Sequence, residues 1–551
     1  TLTPTMCRVF LRPGRERRPG RIALLAEHSY LAMLGRYERT LDWALAHGRL
    51  MLWLTLATMG VSVLLYWVVP KGFFPQQDTG LIYGSTEAPV DISAPAMSTR
   101  QLALARVVMD DPDVALVYSW IGENAQPNNG RLVIGLKPFA QRRASASQIL
   151  ARLRDRAGQV PGITLRMQAR QDLQVGGRAS RTQFQYTLED TDPRELYAWA
   201  PRLLEALKSL PQVQDMNSDL ESPAPGMTIV IDRSRAAQFG ISPQLLDDTL
   251  YDALGQRQVA TIFTNIDQYH VVLEVDPDHK LDASSLNDIY VPSGDGKQIP
   301  LSVFARFEDN AAPLLISHQG QFPAVTLSFN LAPGVALGDA VVLVESTIRQ
   351  LRMPVTLHGS FQGTAQAFKA TLASQPYLVA AALIAVYIVL GILYESYIHP
   401  ITILSTVPSA GLGALLALLL CRLELSVISL IGIILLIGIV KKNAIMMIDF
   451  ALDAERLQGL DTRASIRAAC LLRFRPIMMT TMAAILGGLP LAIGTGAGAE
   501  LRSPLGVAIV GGLLVSQVLT LYTTPVVYLY MDRIAHRWGR RIVAPGSAGS
   551  G

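Results

Sequence analysis

The chain has 551 residues, of which 50% are hydrophobic and only 17% are charged. A typical soluble protein has about 25% charged residues, so this composition indicates a membrane protein with a substantial soluble part. The net charge of +4 is too small to favour nucleic acid as a partner, and the three cysteines have neither disulfide nor metal-ligand spacing.

Residues 1–48 combine apolar, basic and amphipathic stretches. The chain starts at Thr1 without an initiator methionine, and residues 1–11 resemble the end of a longer apolar segment, so we expect it to be part of a longer protein. Residues 30–47 are amphipathic and are predicted to lie along the cytoplasmic membrane surface. The first apolar span covers residues 49–70 and is preceded by Arg12, Arg15, Arg17, Arg18 and Arg21. Because basic residues collect on the cytoplasmic side, the chain is predicted to enter the membrane from there.

The mostly polar region 71–374 follows this span and is predicted to lie on the outer side of the membrane. Between residues 80 and 170, its patterning predicts a strand, a helix, two strands, a helix and a strand. This is the order of the ferredoxin-like split βαβ unit. The same order recurs between residues 182 and 359, interrupted by an insertion at 227–307 with strands and a helix of its own. The sequence therefore predicts a large α+β region of ferredoxin-like subdomains.

Five further apolar segments follow in quick succession, each long enough to cross a bilayer, which takes about 20 residues. They cover residues 375–396, 398–421, 425–452, 474–494 and 504–531. Together with the first span they predict a membrane α-helical bundle of six spans. Six crossings return the tail 532–551 to the cytoplasm, and the arginines of that tail and of the predicted loop 453–473 agree with this orientation.

Lys441 and Lys442 interrupt one of the most apolar stretches of the chain. A lysine at membrane depth costs about 2.5–3.5 kcal/mol on insertion scales, so it usually faces an opposite charge or water. The pair therefore indicates an ion or proton path. The alternative is that the lysines lie near a helix end and extend to the lipid headgroups. The apolar helix that continues beyond Lys442 favours the first interpretation for that residue.

Arg473 opens the fifth span, and Thr480 follows seven residues later. Two helical turns separate them, so both are predicted to lie on one face of the helix. A guanidinium and a hydroxyl near a buried lysine are suited to a charge-switching network. The alternatives are an interface anchor for Arg473 and a hydrogen bond from Thr480 to its own helix.

The sequence contains no nucleophile elbow, phosphate loop or cluster with metal-ligand spacing, so we expect neither an enzyme nor a bound cofactor. The polar stretch 122–130 has turn composition and is followed by no helix start. Met478, Met479 and Met482 indicate packing within a helix rather than a metal site.

Five motifs resemble those of the resistance-nodulation-division (RND) multidrug efflux permeases. They are GFFPQQDTG at 72–80, GILYESYIHP at 391–400, GIVKKNAIMMID at 438–449, LRFRPIMMT at 472–480 and GAELR at 498–502. The resemblance extends over residues 1–533, and within the family it is to the MdtB/MdtC type, closer to MdtB. It implies that the chain is the C-terminal half of a twelve-span permease, with residues 1–12 at the end of the sixth span.

The resemblance implies a proton-motive-force-driven antiporter in the bacterial inner membrane, with the polar region in the periplasm. Such permeases are trimers, here homo- or heterotrimers with a paralogous RND subunit. They join a periplasmic adaptor and an outer-membrane channel to export drugs or other amphipathic small molecules. Lys442, Arg473 and Thr480 match the proton relay of the family. The aspartates of that relay match no residue of this chain and are implied to lie in the other half.

The resemblance also divides the polar region into subdomains. It implies one porter subdomain at 71–170, a second at 171–225 and 309–365, and a docking subdomain inserted at 226–308. Substrate pockets in this family open and close as the porter subdomains rock, coupled to shifts of the membrane helices.

The loop 122–131 matches the switch loop that separates two substrate pockets in the family. The implied pocket residues in this part of the chain are Tyr118, Trp120, Gly122, Glu123 and Asn124. Glu123 and Ala125 stand where aromatic residues are expected, which favours a more polar range of substrates. Trp120 is equally consistent with packing in the core.

Two other functions remain open at this point. The chain is also consistent with a structural subunit that helps a paralogue to assemble but relays no protons, or with a related RND exporter of lipids or metal ions. A metal pump should show methionine pairs along several spans, whereas this sequence has one such cluster.

Overall fold

The structure is a computed structural model that describes residues 5–6, 21–122, 126–173, 175–176, 180–220, 223–276, 287–313 and 315–542. Six helices within these ranges are long and apolar enough to span a membrane, which confirms the predicted six-span pattern. They are Gly48–Val68, Gly363–Tyr394, His399–Leu420, Val427–Gln458, Thr462–Ile493 and Ala499–Ile534. Two helices precede the polar region, α1 (Arg21–Ala46) and the apolar α2 (Gly48–Val68).

The first α+β unit follows the element order that the sequence predicts. It contains β1 (Leu81–Glu87), α3 (Ala94–Met109), β2 (Val114–Ile121), β3 (Asn129–Leu136), α4 (Ala146–Ala157) and β4 (Thr164–Ala169). The strands form an antiparallel sheet in the order β2-β3-β1-β4. Every second residue of β1 is buried, because one face of the sheet packs on the helices. The core includes Ile82, Met97, Leu104, Ile134, Ile149 and Leu153.

A second unit begins and is then interrupted by an insertion. Its first part consists of β5 (Phe184–Glu189), α5 (Pro193–Lys208) and β6 (Val213–Ser218). The insertion is enclosed by the paired strands β7 (Ala224–Ile231) and β12 (Ala305–Ala312). Between them lie α6 (Arg233–Gln238), α7 (Pro243–Leu254), β8 (Arg257–Phe263), β9 (Gln268–Leu273), β10 (Tyr290–Pro292) and β11 (Gln298–Pro300). The insertion has a small core of its own around Leu246, Val291 and Phe304.

The second unit is completed after the insertion. Its second part consists of β13 (His318–Gln319), β14 (Phe322–Leu331), α8 (Leu337–Leu351) and β15 (His358–Gln362). The four main strands lie in the order β6-β14-β5-β15, all antiparallel. In chain order this is the same arrangement as in the first unit. The two units are therefore repeats of one topology, and the insertion occupies the connection at the middle of the second repeat.

The remaining helices form the membrane bundle. They are α9 (Gly363–Tyr394), α10 (His399–Leu404), α11 (Val407–Leu420), α12 (Val427–Gln458), α13 (Thr462–Ile493) and α14 (Ala499–Ile542). α13 corrects the prediction of a loop over 453–473, because it begins at Thr462. The buried side chains of Ile466, Ala469 and Cys470 pack in one cluster with Tyr37 of α1, so tertiary contacts stabilise these turns as helix. Arg467 adds ion pairs to two carboxylates of α1.

Two helices of the bundle approach each other closely at Gly413. A Cβ atom placed there would lie 2.6 Å from the carbonyl oxygen of Gly511 and 3.0 Å from the Cα of Gly512. Small residues permit such backbone contact between α11 and α14. The neighbouring Gly411, in contrast, has open space around its Cβ direction.

Gly413→Ala is therefore expected to destabilise the bundle, whereas Gly411→Ala should not. The added methyl group meets backbone atoms that cannot rotate away, so the helices must separate, at a cost of about 1–3 kcal/mol. Thermal unfolding of the two purified full-length variants in the same detergent measures the difference. Equal melting temperatures for both variants would contradict this description of the helix contact.

Candidate functional site

Lys442 lies at the middle of the 32-residue helix α12. Each end of that helix is about 24 Å away along the axis. The side chain is exposed at the surface of the six-helix unit, while Lys441 is half-buried. Within the described part of the chain, Lys442 makes no ion pair and no side-chain hydrogen bond. Its central position does not fit the alternative of a lysine close to a helix end.

Arg473 and Thr480 lie on α13, but the structure does not bring them into contact with Lys442. The Arg473 guanidinium stacks 3.4 Å from the ring centroid of Phe450, a cation–π contact. Its buried Nε has no hydrogen-bond partner among the described residues. The Thr480 hydroxyl donates to the carbonyl of Ile477 at 3.1 Å, which is the hydrogen bond to its own helix that the sequence left open.

Asp449 lies two turns after Lys442 on the same helix and is hydrogen-bonded to a residue of another helix. The hydroxyl of Tyr394 on α9 donates a hydrogen bond to the Asp449 carboxylate. This contact ties α9 to α12. Within the described residues, Asp449 makes no ion pair with Lys442.

Sequence reasoning missed a polar group beside Lys442. Asn443 (α12), Thr481 (α13) and Gln517 (α14) are hydrogen-bonded to one another, and Asn443 and Thr481 are only 7% and 3% exposed. A side-chain hydrogen bond between membrane helices contributes about 0.6 kcal/mol on average. The available signal was an amide directly after the lysine in an apolar helix, together with polar residues in two later apolar helices.

A cavity of about 430 Å³ lies between the two α+β units, next to the strand that carries Tyr118 and Trp120. Trp120 lines this cavity and is 37% exposed, so it is not a core residue. Its ring lies 5.3 Å from that of Tyr118. Gly122 has a φ of +85°, a conformation that glycine adopts without strain. Glu123 and Asn124 lie outside the described residues.

The cavity lining combines the aromatic rings of Tyr83 and Trp120 with many polar and charged side chains. The polar and charged residues include Arg131, Gln168, Arg181, Gln185 and Asn217. Arg181 is held in place by Glu87, at 2.9 Å, and the same carboxylate pairs with Arg166 at 2.6 Å. Groups of three or more His, Cys, Asp or Glu side chains suited to a metal ion do not occur in the described part of the chain.

Residues 1–532 match the model of the AcrB/AcrD/AcrF family, which is nearly the whole chain. The chain belongs to the AcrB/AcrD/AcrF family. Two similar relatives are the multidrug resistance proteins MdtC of Serratia proteamaculans, 50% identical over 540 residues, and of Cronobacter sakazakii, 49% identical over 543 residues. Each alignment covers 98% of this chain and 52% of the relative. The chain thus spans about half the length of these relatives.

The fold of this AcrB/AcrD/AcrF family member also resembles solved structures. Two crystal forms of a heavy metal efflux pump superpose with a TM-score of 0.80 at 23% identity, over 92% of this chain. The matched part is 53% of the pump chain in one form and 52% in the other. At this level of identity the comparison concerns the fold alone.

The family assignment confirms the resemblance to RND multidrug efflux permeases of the MdtB/MdtC type. The motifs suggest a closer likeness to MdtB than to MdtC. Both of these relatives are MdtC proteins, so they do not test that closer likeness. Membership of this family confirms the prediction that the chain is not an enzyme.

Proposed function

We propose that this chain is the C-terminal half of a proton-motive-force-driven antiporter of the bacterial inner membrane. The proposal rests on the position of Lys442. This residue is a cation at the centre of an apolar helix, exposed from the six-helix unit, without a counter-charge among the described residues. Such a lysine is tolerated when carboxylates or water face it. The relatives are about twice as long, and in the proposed transporter the other half would supply those carboxylates.

Lys442, Arg473 and Thr480 would then act as the proton relay. When a carboxylate opposite the lysine takes up a proton, their attraction weakens, and the helices can shift. The observed contacts of Arg473 with Phe450 and of Thr480 with Ile477 correspond to a state in which these two groups are not engaged with the lysine.

The α+β region would bind and move the substrate. We infer ferredoxin-like porter subdomains at 71–170 and at 171–225 with 309–365, and a docking subdomain at 226–308. The repeated strand order of the two units supports this division. The polar cavity between them, with Trp120 and Tyr118 at one side, would be the substrate pocket, together with Gly122, Glu123 and Asn124. Drugs or other amphipathic small molecules with polar groups suit this lining.

The full transporter would work as a homo- or heterotrimer with a paralogous RND subunit. Its α+β region would lie in the periplasm, where the docking subdomain would meet a periplasmic adaptor and an outer-membrane channel. Membership of the family supports these partners.

One observation favours a second candidate function. Because Arg473 and Thr480 are occupied elsewhere, the chain is also consistent with a structural subunit of a mixed trimer that relays no protons. In that case the paralogue alone would carry out proton coupling.

Reconstitution of the full-length transporter into liposomes tests the proposal. With an imposed pH gradient, we expect drug accumulation in the vesicles together with proton flux in the opposite direction, reported by a pH-sensitive dye. A protonophore should stop both. Transport that continues undiminished without a gradient would rule out proton coupling. A correctly assembled protein without any proton flux would support the structural subunit instead.

A further inference from the structure

Three polar side chains form a triangle of hydrogen bonds inside the membrane bundle. The amide nitrogen of Asn443 donates to the Thr481 hydroxyl at 3.1 Å and to the Gln517 carbonyl at 3.3 Å. The Thr481 hydroxyl donates to the same carbonyl at 2.7 Å. The Gln517 nitrogen lies 3.3 Å from the sulfur of Met478. One residue comes from each of α12, α13 and α14, so the triangle connects three helices.

Two members of the triangle directly follow proposed relay residues in the chain. Asn443 follows Lys442 on α12, and Thr481 follows Thr480 on α13. Consecutive residues of a helix point about 100° apart. In both pairs the second residue is buried inside the six-helix unit and the first is exposed at its surface. The inward hydrogen bonds therefore fix the direction in which the two relay side chains point.

We propose that Asn443, Thr481 and Gln517 are positioning residues that set the rotation of α12 and α13, and so hold Lys442 and Thr480 toward the proton path. This inference rests on the proposed proton relay. A relay requires donor and acceptor within hydrogen-bond reach, about 2.6–3.2 Å. A small rotation of α12 moves the end of a long lysine side chain out of that range, although the rotation leaves the apolar packing of the bundle largely intact.

Thr481 offers a matched pair of substitutions in the full-length transporter. Thr481→Val keeps the shape and removes the hydroxyl, whereas Thr481→Ser keeps the hydroxyl. Drug transport by each variant is measured in proteoliposomes across a range of pH values. For Thr481→Val we expect about a tenfold lower maximal rate, a KM close to that of the wild type and a shifted pH profile, because misplaced reacting groups reduce rates steeply. Thr481→Ser should restore the wild-type profile.

Gln517→Met repeats the test from a third helix, since it keeps the length of the side chain and removes the hydrogen bonds. If the inference is correct, Gln517→Met accumulates in the membrane in normal amounts and shows the same changed pH profile as Thr481→Val. The inference is overturned if both variants keep the wild-type rate and pH profile, or if only one of them differs. It is also overturned if neither variant accumulates in the membrane, since the triangle would then serve folding rather than positioning.

Lys442→Ala, measured in parallel, separates this inference from the proposed function. If that variant transports normally, the relay itself is wrong. If it is inactive while Thr481→Val and Gln517→Met behave as the wild type, the relay stands and only the positioning role is rejected.

Discussion

Replacing Lys442 by alanine in the full-length transporter is expected to abolish drug export without reducing the amount of protein in the membrane. The side chain is exposed from the six-helix unit and makes no ion pair or hydrogen bond within the described residues, so its removal creates no cavity in the described core. Alanine also favours helix. The loss should therefore concern proton coupling alone, and drug resistance of cells that express the variant measures it.

Lys441→Ala is the matched control, because it removes the same charge one residue earlier in the same helix. It should leave export close to the wild-type level. Wild-type resistance in both the Lys442 and the Lys441 variant would show that the charge at the centre of α12 is dispensable.

In mixed trimers with a paralogous subunit, Lys442→Ala in this chain alone distinguishes the two candidate functions. A subunit that relays protons should lose or strongly reduce export by the trimer. A structural subunit should tolerate the change, and the corresponding lysine of the paralogue would then be the essential one.

The six spans could be predicted from the sequence because long apolar runs alone determine which segments enter a bilayer. The early start of α13 could not be predicted from the sequence. Residues 462–473 carry charges and read as a loop, and they are helical because Ile466 and Cys470 pack against α1, more than four hundred positions away in the chain. Helix ends that depend on such distant contacts leave no local pattern in the sequence.

The candidate site could also be predicted from the sequence only in part. Lys442 could be identified from the sequence alone, because a charge in an apolar run is costly wherever the helix packs. The hydrogen-bond partners of Asn443 could not be identified in this way, since Thr481 and Gln517 lie 38 and 74 residues away in the chain. The seven-residue spacing of Arg473 and Thr480 predicted a shared face. Which of the consecutive residues Thr480 and Thr481 faces the bundle is decided by packing, and the buried one is Thr481.

Arg142→Ala is expected to destabilise the first α+β unit strongly. The Asp78 carboxylate accepts two hydrogen bonds from Arg142, at 2.8 and 2.9 Å, and one each from the backbone N–H groups of Gly80 and Ala146. The Arg142 and Asp78 side chains are only 3% and 9% exposed. Removing one partner of a buried ion pair leaves an uncompensated charge, which costs about 3–5 kcal/mol. Thermal unfolding of the purified full-length variant, with amide hydrogen exchange in β1 and α4, measures the loss.

Lys208→Ala is the control for this experiment, because its pair with Glu205 is largely exposed and contributes at most about 1 kcal/mol. A double variant identifies the cause of the loss. Asp78→Asn, added to Arg142→Ala, removes the uncompensated charge and should recover part of the stability. If it lowers the stability further, the damage comes instead from the lost packing of the guanidinium on Phe139, 4.1 Å from the ring centroid. In that case the ion pair would matter less to this unit than the stacking of its arginine.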